Sequence, residues 1–184
     1  MDKLLKVSLV AAGMAFGLGC FAPARAETPK AAAGQKNISI VFDSNTEGLE
    51  ARQAKSRGDL GDFMAPDLVR VFERYAKSGY TAKLINKKED FKSGPDEYLL
   101  IVKITDYNPG SKAARMIVGF GAGGVKLAIH YDVSANGKET LMANDDSVYS
   151  GRDWFNAARK LNESTAKAVT TKLNGGEPDK KTGK

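Results

Sequence analysis

Polar and apolar residues alternate with a period of two in several stretches of the chain and recur at helical spacing in two others. Ile38–Asp43 alternates first. Ser44–Gly61 is charged and glycine-containing, which predicts a solvated loop or a frayed helix. Met64, Leu68, Val71, Phe72 and Tyr75 share one face of a helix predicted over Phe63–Ser78. That span puts Pro66 in the first turn, where its missing N–H costs nothing, and Gly79 at the C-terminal stop. Tyr80–Ile85 alternates again, and Asn86–Pro95 is a charged loop. In Glu97–Tyr107, Tyr98, Leu100, Val102 and Ile104 point one way, while Leu99 and Ile101 are apolar on the other side, the pattern of a central strand. Val125–Val133 alternates cleanly. Asn136-Gly137 predicts a type I′ hairpin, because both residues tolerate positive φ. Glu139–Tyr149 is the return strand, with an interruption expected at Asn144-Asp145-Asp146. Asp153 caps a last helix whose face carries Trp154, Ala158, Leu161, Thr165, Ala168 and Lys172, and Gly175-Gly176 stop it.

This order predicts an α+β fold: a mixed, mostly antiparallel sheet of about five strands with two main helices packed on one face. The single domain spans residues 38–173, between a disordered leader at 27–37 and a disordered basic tail at 174–184.

The first 26 residues follow a different logic. Lys3 and Lys6 precede an apolar run from Val7 to Leu18, and Ala24-Arg25-Ala26 is the small-x-small pattern of a signal-peptidase site. The apolar run is shorter than the roughly 20 residues a membrane span requires. A secretory signal peptide at 1–26, cut after Ala26 and delivering the chain to the periplasm, is the expectation. The alternative is an outer-membrane lipoprotein lipidated at Cys20, since Gly19 fits a lipobox. Gly17, where such boxes prefer Leu, does not.

Composition sharpens this picture. The 184 residues carry a formal charge of +6, with one Cys and one His. Removing residues 1–26 takes away Lys3, Lys6 and Arg25 against Asp2, which lowers the charge to +4, and it takes away the only Cys. A disulfide framework and a four-ligand Cys/His zinc cluster are thereby excluded within one chain.

Little in the sequence points to catalysis. Gly119-Phe120-Gly121-Ala122-Gly123-Gly124 satisfies G-x-G-x-x-G, but a strand pattern follows it where a dinucleotide fingerprint needs a helix. Glycines that relieve bulk at a strand bend explain it better. His130 falls on the polar side of its strand near Asp132, and no G-x-S-x-G occurs. Asn144, Asp145 and Asp146, with Asp43 or Asp132, offer oxygens to a hard cation, but turn chemistry accounts for them and no EF-hand spacing is present. No catalytic residue, cofactor or metal ligand is assigned. The segment Arg115, Met116, Ile117, Val118, Gly119, Phe120, Gly121 and Gly123 is the candidate interaction surface. The cationic residues are dispersed and lack aromatic interleaving, which argues against nucleic acid.

The run from Asn108-Pro109-Gly110 through Ser111-Lys112-Ala113-Ala114-Arg115, then Gly119–Gly123, then the strand closing at Asp132 and Gly137, resembles the domain of unknown function 4410 family. These are exported bacterial proteins, many of them lipoproteins. The resemblance extends over about Ile38–Leu173 and is most specific in the glycine-rich segment. It implies an α+β fold akin to envelope lipoproteins such as the curli-secretion lipoprotein and the activators of penicillin-binding proteins, and it carries over no catalytic residue. The weak lipobox departs from the many relatives that are lipid-anchored.

The expected function is that of an exported, non-enzymatic cell-envelope protein of a Gram-negative-type bacterium. It is expected to bind an envelope protein or to self-associate, and to contact a membrane surface. The alternative from a different class is a small-ligand or hydrolytic domain using the Gly119–Gly124 loop with His130, Asp132 or Asp145.

Overall fold

The computed structural model describes residues 34–75, 79–110, 123–151 and 153–178. The elements run β1 (Lys36–Asp43), α1 (Ala51–Arg74), β2 (Tyr80–Leu84), a single 3-10 turn (Lys88–Asp90), β3 (Glu97–Asn108), β4 (Val125–Ala135), β5 (Glu139–Ser150) and α2 (Trp154–Leu173). The strand order is β2-β1-β3-β4-β5. β1 runs parallel to both β2 and β3, and β3, β4 and β5 form an antiparallel meander. Both helices lie on one face, as the α+β reading requires.

Alternation decides which side of each strand meets the helices. Ile38 and Ile40 of β1, Leu100, Val102 and Ile104 of β3, and Val125, Leu127, Ile129, Tyr131 and Val133 of β4 enter one core. Leu60, Met64, Leu68, Val71 and Phe72 of α1 meet them, together with Ala157, Ala158, Leu161, Ala166 and Val169 of α2. β3 is central, and Leu99 is buried on its other side.

Five local expectations require correction. First, α1 is one helix from Ala51 through Arg74, so of the two readings of Ser44–Gly61, solvated loop or frayed helix, the helix holds from Ala51 onward and is regular rather than frayed, and Pro66 lies in the helix interior instead of its first turn. Tertiary packing overrides the local signal here. Leu60, one turn before Met64, is fully buried, and Arg57 donates to the Asn45 carbonyl at 3.1 Å. Gly61 lets the helix approach so closely that a Cβ there would overlap Ser44 Oγ. Second, β5 is continuous through Asn144-Asp145-Asp146. Each of the three finds a partner that replaces a turn: Asn144 donates to the Tyr131 hydroxyl, Asp145 meets His130, and Asp146 accepts from Ser164.

Third, β1 starts at Lys36, inside the stretch expected to be leader. The Lys36 N–H donates to the Gly79 carbonyl at 2.7 Å, and the Asn37 N–H to Asp96 at 2.8 Å. Fourth, the start of the expected tail is fixed. Gly176 N–H reaches back to the Thr171 carbonyl and Gly175 N–H to Lys172, with Gly175 at φ +80°, while Asn174 Oδ1 accepts from Tyr80 and Lys36. The face of α2 is also turned from the predicted stripe. Ala157, Ala158, Leu161, Asn162, Thr165, Ala166, Val169 and Thr170 are buried, and Trp154, Ala168 and Lys172 lie at its margin. Asp153 caps α2 as expected, accepting from Asn156 N–H at 2.8 Å. Asn136 (φ 53°) and Gly137 (φ 66°) make the β4–β5 turn.

Candidate functional site

His130 is placed by β4 on the face turned away from the helices. Register brings Asp145 of β5 directly opposite, and Asp132 lies two residues along β4 on the same face. Asp145 Oδ1 sits 2.8 Å from His130 Nδ1, and Asp132 Oδ2 lies 3.3 Å from Nε2. The hydrogen bond to Asp145 raises the His130 pKa above its ordinary value. Partial burial opposes this, and the charges of Asp132 and Asp145 add to the rise. The two carboxylates thus stabilise the charged form of the imidazole relative to that of a free histidine. Among the described residues, no group of three His, Cys, Asp or Glu side chains is arranged to hold a metal ion.

Two of the clefts on the surface of the described residues stand out, and neither is lined by His130, Asp132 or Asp145. The larger, about 660 Å³, lies between the N-terminal turns of α1 and the end of β3. Arg52, Gln53, Ser56 and Arg57 line it from the helix, and Tyr107 and Asn108 from the strand. The smaller, about 430 Å³, is bounded by Val71, Arg74, Tyr75, Glu163, Ser164 and Lys167 where the two helices meet.

The glycine-rich connection between β3 and β4 is described only at its ends. Gly110, at φ +71°, faces the carbonyl oxygens of Gly123 and Gly124, and a Cβ on Gly110 would overlap them. A Cβ on Gly124 would overlap the ring of Tyr149. The glycines therefore permit two backbones and one aromatic ring to meet at the root of the connection. Strand β4 follows Gly124 directly, so the helix a dinucleotide fingerprint needs is missing. Arg115, Met116, Ile117, Val118, Gly119, Phe120 and Gly121 lie outside the described residues, as do Ala24, Ala26 and Cys20; Gly123 is described, at φ +69°.

Three features escaped the reading of the sequence. The larger cleft depends on α1 residues read as a solvated loop or a frayed helix, and a local signal for regular helix was the Lys55–Asp59 pair at i, i+4. Phe63, Trp154 and Phe155 form an aromatic cluster: Phe63 meets the two rings edge-on at 5.4 and 5.1 Å, and Trp154 stacks on Phe155 at 3.6 Å. The Trp-Phe pair at a helix start was the available signal. Finally, β5 is an edge strand of twelve residues.

This architecture defines a two-layer α+β domain with helices on one face of a mixed sheet and two surface clefts. The chain belongs to the family described as Domain of unknown function (DUF4410), whose model matches residues 39–151. No curated protein matches it. Among solved structures, it is similar to a variant of the PelC dodecamer from Paraburkholderia phytofirmans, with 12% identity and a TM-score of 0.49 over 79% of this chain and 93% of that one. A second PelC dodecamer from the same organism gives 10% identity and 0.49 over 71% and 83%. A Helicobacter pylori neuraminyllactose-binding hemagglutinin homolog gives 9% and 0.33 over 77% and 86%.

Proposed function

We propose that the chain is an exported cell-envelope protein of a Gram-negative-type bacterium that acts without catalysis, by binding an envelope protein or a second copy of itself. Export rests on the Lys3/Lys6, Val7–Leu18 and Ala24-Arg25-Ala26 pattern. It implies release into the periplasm after cleavage at Ala26, with lipidation at Cys20 as the alternative outcome. The observation that carries the binding role is the edge of the sheet. β2, at one edge, is five residues long and contains Lys83, the short and charged form that discourages pairing. β5, at the other, runs twelve residues without Lys or Pro, and of its three carboxylates Asp145 pairs with His130 and Asp146 accepts from Ser164, which leaves Glu139 at its first position. A long edge of this kind presents backbone donors and acceptors to an incoming strand.

Cross-linking in living cells followed by mass spectrometry tests this proposal. Adducts to an envelope protein or to a second copy support it. A monomer without cross-linked neighbours across growth conditions contradicts it.

A further inference from the structure

The larger cleft is built to hold an anion, and nothing in the edge-strand interaction uses it. Two arginines line it, Arg52 and Arg57. Arg57 is held in place: one of its N–H groups donates to the Asn45 carbonyl at 3.1 Å. Asn45 is fixed in turn, since its N–H donates to Asp43 at 2.7 Å and its Nδ2 to the Ile104 carbonyl at 3.2 Å. A guanidinium carries five donors in a planar fork, so this anchor leaves others available to an oxyanion. Arg52 is exposed and makes no ion pair with another described residue.

The carboxylates of the cleft do not cancel this charge. Asp106 is bound by Lys126 at 2.9 Å, which leaves Glu50 against two arginines. Gln53 and Asn108 add neutral polar groups. Burial raises the Tyr107 pKa, Ser56 acts against this and the Asp59 charge adds to it, so the phenol stays neutral. Tyr107 and Pro109 supply an apolar wall. The volume, about 660 Å³, falls within the range of small-molecule sites.

We infer that this cleft binds a small molecule carrying a phosphate or carboxylate on an apolar body. The oxyanion lies between Arg52 and Arg57, and the body lies against Tyr107. Bidentate pairing to guanidinium suits both oxyanions, and the ring wall selects against an ion that has no apolar part.

The test is a nitrogen-15 NMR titration of the folded chain with phenyl phosphate, benzoate, inorganic phosphate and neutral benzyl alcohol. The expected result is saturable shifts at Gln53, Ser56, Tyr107 and Asn108 with phenyl phosphate or benzoate, binding tighter than inorganic phosphate or benzyl alcohol. R52Q, which alters an exposed side chain, raises the Kd about tenfold, the scale of one charge-assisted hydrogen bond. K160Q, removing an exposed cation on α2, changes it less than about twofold. If phenyl phosphate and benzoate produce no saturable shifts at these four residues, bind no tighter than benzyl alcohol, or bind R52Q and the unaltered chain equally, the inference is overturned.

Discussion

His130 on β4 and Asp145 on β5 face each other across the strand pair, Nδ1 to Oδ1 at 2.8 Å. This contact is the leading cause of the raised His130 pKa, with Asp132 on the other ring nitrogen adding to it. The folded state therefore holds its proton to higher pH than the unfolded chain, whose histidine titrates near 6.5. The resulting stabilisation is complete below about pH 6.5 and is lost as pH rises through the folded-state value. Both side chains are more than a third exposed, so solvent screening keeps the effect small. In an NMR titration, D145N lowers the His130 midpoint towards 6.5. An unchanged midpoint would show that Asp145 is not the principal partner.

Gly110 tests the root of the glycine-rich connection. G110A places a Cβ against the carbonyls of Gly123 and Gly124 at a positive φ. Gly48 has nearly the same φ, +72°, with nothing within 4 Å of an added Cβ. Urea unfolding should show a loss of about 1 kcal/mol for G48A, from backbone strain alone, and more than about 2 kcal/mol for G110A. Equal losses would mean that the close approach is unimportant.

Pro66 interrupts α1 from an exposed position inside the helix. It cannot donate to the Asp62 carbonyl one turn earlier, and its ring crowds that carbonyl. P66A should stabilise the protein by about 1–2 kcal/mol, the interior-proline penalty less the entropy that proline removes from the unfolded chain. A destabilised P66A in thermal unfolding would show that the restriction proline places on the unfolded chain outweighs its penalty in the helix.

Asn162 joins the two helices from a buried position. Its Nδ2 donates to the Met64 carbonyl at 3.0 Å and to Asp67 Oδ2 at 2.8 Å. N162A leaves both acceptors without that donor and should cost about 1–3 kcal/mol in chemical denaturation. A loss near zero would mean that water replaces the amide.

The strands were legible where one face is buried and the other is polar. In β4, Val125 to Val133 alternate with Lys126, Ala128, His130 and Asp132, and the register bears out both faces. Legibility failed where tertiary contacts outvote local chemistry. Pro66 read as a helix start because an interior proline is costly, yet Leu60 and Gly61 are buried upstream and draw the helix back to Ala51. Asn144-Asp145-Asp146 read as a turn because those side chains bond to their own backbone in isolation. Asp146 keeps one such local bond, accepting from Ser147 N–H, but Tyr131, His130 and Ser164, remote in sequence, bind the three side chains within a continuous strand. The larger cleft was hidden for the same reason, since Arg52 and Tyr107 meet only once α1 is extended. The face His130 occupies was legible from alternation; its second carboxylate partner depended on the β4–β5 register.

The most direct measurement is site-specific photo-cross-linking in cells, with the reactive residue placed at Ala143, an exposed position midway along β5, and in parallel at Glu73 on the exposed side of α1. Function through the β5 edge predicts a discrete adduct from Ala143, with an envelope protein or a second copy, and none of comparable yield from Glu73. No adduct at Ala143, or the same products from both positions, would contradict it.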